Sequence, residues 1–179
     1  MAEGFELPET GEEHGDNPQV LPVSLTISIL AVLVAAVTLL GHRAHTEELL
    51  LQSQATDQWA FYQAKNIRRH SDELYLDLTS VEATTDAALL ATLRDKYSQE
   101  AARYKDDQKG IEDKARELEA DVATERNRAD RFDLAEVFLE IALVITSITL
   151  LSGRRIFWWL GLLLGVVGIV VASTAFLLH

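Results

Sequence analysis

The sequence predicts an all-α membrane protein: three transmembrane helices, with a long antiparallel helical hairpin, coiled-coil-like in its packing, outside the bilayer. Three observations carry this. Apolar residues gather in blocks near the two ends, each close to the ~20 residues that a helix needs to cross ~30 Å of hydrocarbon. Of the 16 basic and 28 acidic residues, six acids lie ahead of the first block, two arginines lie between the last two blocks, and all the others fall within residues 43–140. Within that charged stretch, apolar positions recur at alternating steps of four and three, the seam of a helix that packs on another helix. The averages, 48% apolar and 25% charged with a net charge of −12, conceal this segregation.

The first span is read at 21–41. Residues 17–41 contain no Asp, Glu, Lys or Arg. The leader before it, residues 1–20, is acidic and expected to be disordered. Because it lacks a basic residue, it does not fit a cleaved secretory signal, which needs a basic start and a shorter apolar stretch. The third span, 156–178, is free of charge and opens with Phe157, Trp158 and Trp159, which suit the membrane interface because an indole has an apolar body and a polar N–H. The second span, 134–152, carries Glu136 and Glu140 in its first two turns. Its hydroxyls, Thr146, Ser147 and Thr149, can bond back to helix carbonyls. The short link Ser152, Gly153, Arg154, Arg155 makes the last two spans an antiparallel hairpin, and three spans put the termini on opposite sides. Arg43, Arg126, Arg128 and Arg131 beside the insert, against Arg154 and Arg155 and an acidic leader on the other side, lean towards a cytoplasmic insert.

The insert, 42–133, yields two seams. Ala60, Ala64, Ile67, Ser71, Leu74, Leu78 and Val81 form the first. Tyr97, Ala101, Tyr104, Gln108, Ile111, Ala115, Leu118, Val122, Glu125, Ala129 and Phe132 form the second, whose next positions are Glu136 and Leu139, so this helix is expected to run into the second span without a break. A turn is expected near 80–88, where Thr84, Thr85 or Asp86 could cap the second arm. Both arms leave the membrane at one level, near His42 and Asp133. That register sets Arg68 and Arg69 opposite Asp107 and Asp106, and Trp59 near Ala115, Arg116 and Leu118. The second arm is the longer, so a bulge is expected, with Gly110 the favoured place because glycine weakens a helix interior. A separate short helix over 86–97 would also absorb the excess.

Small residues line two spans: Ser24, Ser28, Ala31, Ala35 and Thr38 on the first, and Gly161, Gly165, Gly168 and Ala172 on the third. Such faces let helices approach closely in lipid, either between copies or within one chain. Together with Trp59 and Tyr62 on the insert, the glycines are the packing and oligomer candidates, and a homo-oligomer is expected. Trp59, Phe61 and Tyr62 serve either as packing against the other arm or as a docking surface for a protein partner.

Chemistry is sparse. Asp133, Glu136 and Glu140 lie at i, i+3 and i+7, on one side of a helix that descends into the bilayer. A charge inside the hydrocarbon costs about 3 kcal/mol on insertion scales, so such residues face a bundle interior, a partner or water. These three are the candidates for an ion path, or else they pair with Arg43, Arg128 or Arg131. His42 and His45, three apart with Glu48 a turn further, are weak metal candidates. His70 and His14 are isolated. Lys65, Arg68 and Arg69, with Asp72 and Glu73 close by, form a salt-bridged face. The insert carries a net charge of about −6, which opposes nucleic-acid binding. No cysteine, no glycine-rich phosphate loop and no Ser-His-Asp set with a scaffold is present, so no enzyme and no cofactor is expected.

The segments LGHRAHTEELLLQSQATDQWAFYQAK and RFDLAEVFLEIALVITSITLLSGRR and the tryptophan-led last helix resemble a family of bacterial membrane proteins known only as a domain of unknown function. DQWAFYQAK is the most specific part. The resemblance runs from about residue 20 to the C-terminus, with the acidic leader outside it, and it implies a bacterial inner-membrane location with membrane lipid around the spans. It supplies no activity. Two functions from different classes follow from the residues. The preferred one is a homo-oligomeric structural or scaffolding protein with a helical stalk; the other is a cation or proton conduit or sensor built on the carboxylates of the second span.

Overall fold

A computed structural model describes residues 20–81 and 87–177. They form three helices: α1, Val20–Val81; α2, Ala87–Ser152; and α3, Arg155–Ala175. Each is long and apolar enough to cross a membrane. The acidic leader and the turn residues Thr84, Thr85 and Asp86 lie outside the described residues.

α1 and α2 are about 90 to 100 Å long at 1.5 Å per residue, and they run antiparallel along most of that length. The pairing is fixed by contacts spread from end to end. Tyr75 stacks on Tyr97 with ring centroids 4.3 Å apart, Lys65 meets Asp107, Trp59 donates to Glu119, Arg126 meets Glu48, and Thr38 donates to Glu136. The chain leaves α2 at Gly153, whose φ of +66° is the left-handed conformation that ends helices at glycine. Its N–H donates to the Thr149 carbonyl at 2.9 Å. α3 then folds back along α2 and meets α1 at few points, one of them the Trp158 indole N–H donating to the Thr26 hydroxyl.

The buried face of α2 is the one the spacing predicts. Ala101, Tyr104, Gln108, Ile111, Ala115, Leu118, Val122, Ala129 and Phe132 are all buried, and the same face continues through Ala135, Leu139, Ala142, Thr146 and Thr149. One helix therefore carries one seam from the polar end to the apolar end. The tightest packing lies where all three helices meet, among Leu30, Val37, Ala44, Ala129, Phe132, Leu139, Ala142 and Ala172. Phe132, 1% exposed, sets its ring edge-on to Phe176 with centroids 5.6 Å apart.

Glycine decides how α3 sits. A methyl group at Gly161 would overlap the Thr146 hydroxyl and stand 3.0 Å from the Ala142 carbonyl oxygen, and one at Gly168 would stand 2.8 Å from Leu139. Gly161, Gly165, Gly168 and Ala172 are thus the buried face of α3 against α2 within one chain. On α1, by contrast, Ser24, Ser28, Ala31 and Ala35 are exposed and Thr38 is half-buried.

Three expectations are corrected. First, the seam read on α1 is not the face that meets α2. Ala60, Ala64, Ile67, Ser71, Leu74 and Leu78 are all exposed. The face turned to α2 also steps by four and three, through Leu51, Ala55, Gln58, Tyr62, Lys65, Arg69, Asp72, Leu76 and Thr79, each buried or half-buried. It is displaced by two residues, about 200° around a helix, so between Gln58 and Asp72 the more polar face points inward. Periodicity reveals a packing seam but not its partner. Second, α2 is unbroken through Gly110; one glycine costs a helix interior only about 1 kcal/mol, and the flanking turns make their own contacts. Third, no separate short helix opens the second arm among the described residues: 87–97 are the first turns of α2. Near the end of α1, Arg94 of α2 donates to the Thr79 carbonyl. The register is close to that expected but differs in detail: Lys65, not Arg68, meets Asp107, and Trp59 lies at Glu119.

Candidate functional site

The densest set of polar contacts between helices lies where α1 and α2 pass from their apolar ends to their charged arms. Gly41 brings the backbones together there: a methyl group in its place would stand 3.4 Å from both Asp133 and Phe132. Beside it, His45 Nε2 lies 3.0 Å from Asp133 Oδ2, and His45 Nδ1 lies 3.5 Å from Glu48 Oε2. The other carboxylate oxygen of Glu48 forms an ion pair with Arg126 Nε at 3.1 Å. Asp133, His45, Glu48 and Arg126 thus form one chain of contacts along the flank of the pair, crossing from α2 to two residues of α1 and back to α2. The hydrogen bond to Asp133 raises the His45 pKa above its ordinary value; partial burial opposes this, and Glu48 adds to it.

One turn nearer the apolar end, Glu136 is half-buried between α1 and α2. The Thr38 hydroxyl has a single hydrogen and two acceptors within reach, the Glu136 carboxylate at 2.6 Å and its own Val34 carbonyl at 2.9 Å. Glu140 is different. It is exposed on the outer face of α2 among Val137, Ile141 and Val144, and no hydrogen bond or ion pair holds it among the described residues. The three carboxylates therefore share a side of α2 but not an environment: Asp133 pairs with a histidine, Glu136 takes a hydroxyl, and Glu140 faces outward.

The histidines separate as well. His45 is engaged by Asp133 and Glu48, while His42 is exposed and its carbonyl accepts from Thr46. Among the described residues, no group of three or more metal-ligating side chains is disposed to hold a metal ion.

Further along the arms, Trp59 and Tyr62 meet edge to face with centroids 5.6 Å apart. The Trp59 indole donates to Glu119 Oε1 at 2.8 Å and Tyr62 is half-buried beside it, whereas Phe61 is exposed. The Lys65 ammonium reaches Asp107 at 2.9 Å and lies 4.8 Å from the centroid of the Tyr104 ring. Arg69 stays on its own helix, bonded to Glu73 and Asn66. Burial, and then the neighbouring Glu100, raise the Asp72 pKa.

Several of these contacts escaped sequence reading. By sequence Lys65 falls in a salt-bridged face with Arg68 and Arg69, whereas a register shifted by three residues pairs it with Asp107. The Thr38 to Glu136 and Thr26 to Trp158 contacts had no signal in one sequence, because a threonine on an apolar helix ordinarily bonds its own backbone.

These features define an all-α chain whose three helices are each long and apolar enough to cross a membrane, which is compatible with a membrane protein, and whose first two helices continue into a polar antiparallel pair. Residues 21–178 match the family described as a domain of unknown function, DUF4337, and the chain belongs to that family. No curated protein matches the chain. No solved structure matches it either.

Proposed function

We propose that the protein is a membrane-anchored homo-oligomeric scaffold, its three apolar segments in the bilayer and the paired arms of α1 and α2 standing in water as a stalk. One observation carries this reading: α1 and α2 each run without interruption from an apolar segment into the paired arm. A joint free to bend would need a break in at least one helix, so the arm is held at a fixed angle to the spans. It stands about 60 Å above them at 1.5 Å per residue. Such a part spaces or presents something. Its surface is acidic and ion-paired, which suits a protein partner over nucleic acid. The arginines near the inner ends of the arms favour a cytoplasmic stalk in a bacterial inner membrane.

Deleting residues 53–127 tests the reading. A scaffold loses partner capture in a pulldown from solubilised membranes while the shortened chain still inserts; undiminished capture overturns it. Sidedness is read by placing single cysteines at Ser53 and at Ser152 in a chain that has none of its own, and labelling intact cells with an impermeant maleimide.

A second reading rests on Glu140, a carboxylate without a partner among the described residues, on the outer face of an apolar helix segment. In an assembly it could line a polar path. Wild-type protein in liposomes would then carry cations or protons, and Glu140→Gln would abolish the flux while leaving assembly intact. No flux in the wild type ends that reading.

A further inference from the structure

The exposed seam of α1 is apolar in the part of the helix read as lying in water. Ile67 is 67% exposed, Leu74 60% and Leu78 62%, with Ala60, Ala64 and Ser71 completing the 4-3 spacing. At the same levels the opposite side of α1, against α2, holds Gln58, Tyr62, Lys65, Arg69, Asp72 and Leu76, four of the six polar or charged. A hairpin that ended its life as a lone monomer would be expected to turn its apolar face inward and its polar face to solvent. This stretch of α1 does the reverse, so a partner is missing from the outer face.

We infer that this seam pairs, parallel and in register, with the same seam of a second copy. The inference rests on the reading above, in which the apolar segments are membrane spans and the arms stand in water. That reading fixes the geometry, because every copy enters the bilayer with the same orientation and neighbouring α1 arms can only run parallel. Like residues then face like. Ala60 meets Ala60, Ala64 meets Ala64 and Ser71 meets Ser71, small side chains that admit close approach, while Ile67, Leu74 and Leu78 supply the apolar contact.

The flanking positions agree with this occupant. In a parallel pair, the residue just before one seam position meets the partner residue five further along. Thr56 then meets Phe61, Gln63 meets Arg68, and His70 meets Tyr75. None of these three sets like charges together, and the Gln63 amide oxygen can accept from the Arg68 guanidinium; the next pair in the series, Asp77 with Glu82, does set two carboxylates together and so limits the contact at its outer end. Towards the membrane, the next seam position below Ala60 is Asp57, where two carboxylates would face each other. The contact therefore ends there and occupies residues 60–78, about 27 Å of helix. This is shorter than the three to four heptads of a free-standing coiled coil. The copies are confined to one membrane, however, and that confinement raises the effective concentration of one arm for another.

Single cysteines test the inference in the full-length chain in native membranes, with no background thiol. Ile67→Cys and Leu74→Cys should each give a disulfide-linked dimer under mild oxidation. Tyr62→Cys, on the side facing α2, and Arg103→Cys, exposed on the other arm, should give at least tenfold less. Ile67→Glu, at a position with no core contact to lose, should lower the oligomer fraction at least tenfold, read by single-molecule photobleaching of labelled protein in vesicles, with helicity unchanged. An oligomeric wild type without preferential linking at Ile67 and Leu74 overturns the seam but leaves the assembled scaffold standing. A monomeric wild type overturns both. Linking of the seam cysteines to another protein, in place of a second copy, overturns the choice of occupant.

Discussion

Lys65 of α1 and Asp107 of α2 form an ion pair at 2.9 Å, although their positions in the sequence are 42 residues apart. The lysine is 20% exposed and the aspartate 44%, and the ammonium also lies over the ring of Tyr104. A pair this accessible contributes little by charge alone, about 0.2 to 1 kcal/mol, and the aromatic face adds about 0.5 to 1 kcal/mol. In a double-mutant cycle of Lys65→Met and Asp107→Asn, the coupling measured by denaturant unfolding in detergent should be under about 1 kcal/mol. Tyr104→Leu should cost more than Asp107→Asn, because it removes packing as well.

His45 makes the base of the arms sensitive to pH. Its folded-state pKa is raised, chiefly by the hydrogen bond to Asp133. The stabilisation it provides is therefore fully present below the unfolded value near 6.5 and is lost as pH rises through the higher folded value. The melting temperature in detergent should fall as pH rises above about 6.5, by more in the wild type than in His45→Gln. Asp133→Asn should flatten the profile in the same way; a slope unchanged in both variants would assign the dependence elsewhere.

The seating of α3 depends on backbone contact with α2. Gly161→Leu must displace Thr146 or the Ala142 backbone, and overpacking of this kind costs about 1 to 3 kcal/mol. Leu163→Ala, on the exposed side of the same helix, should cost less. Disulfide formation between engineered cysteines at Ala142 and Gly165 in Gly161→Leu would report whether α3 has moved away.

Phe132 is the largest fully buried side chain where the three helices converge. Its replacement by alanine should destabilise by about 3 to 5 kcal/mol, the largest single effect expected for a side chain of the pair. Protease resistance of the arms should fall together with it, since α2 carries one continuous seam through this position.

Asp72 reports the cost of the inverted face. Burial raises its pKa, so the ionised form opposes folding, and the associated stability is present at low pH and lost as pH rises through the folded value. Asp72→Asn should raise the melting temperature at neutral pH and leave it nearly unchanged near pH 3.5.

The sequence by itself determined the class of fold, the three apolar segments and most of the buried face of α2, although Tyr97, Glu125 and Glu136 of the expected seam are only half-buried and Ala135 is buried beside the last. The reason is local: length against a bilayer, charge segregation, and an unbroken 4-3 spacing that a helix turns into a single stripe. It also located the glycine face of α3 while leaving its partner open. Tertiary structure alone decided that partner, because a small-residue stripe is equally good for any helix that can approach it, and the Thr146 hydroxyl and Ala142 carbonyl are what Gly161 accommodates. It also decided the rotation of α1. Two faces of that helix carry the same 4-3 rhythm two residues apart, one apolar and one polar, and periodicity cannot choose between them. Contacts with Tyr97, Tyr104, Asp107 and Glu119 choose the polar face for α2, and so leave Ile67, Leu74 and Leu78 on the outside.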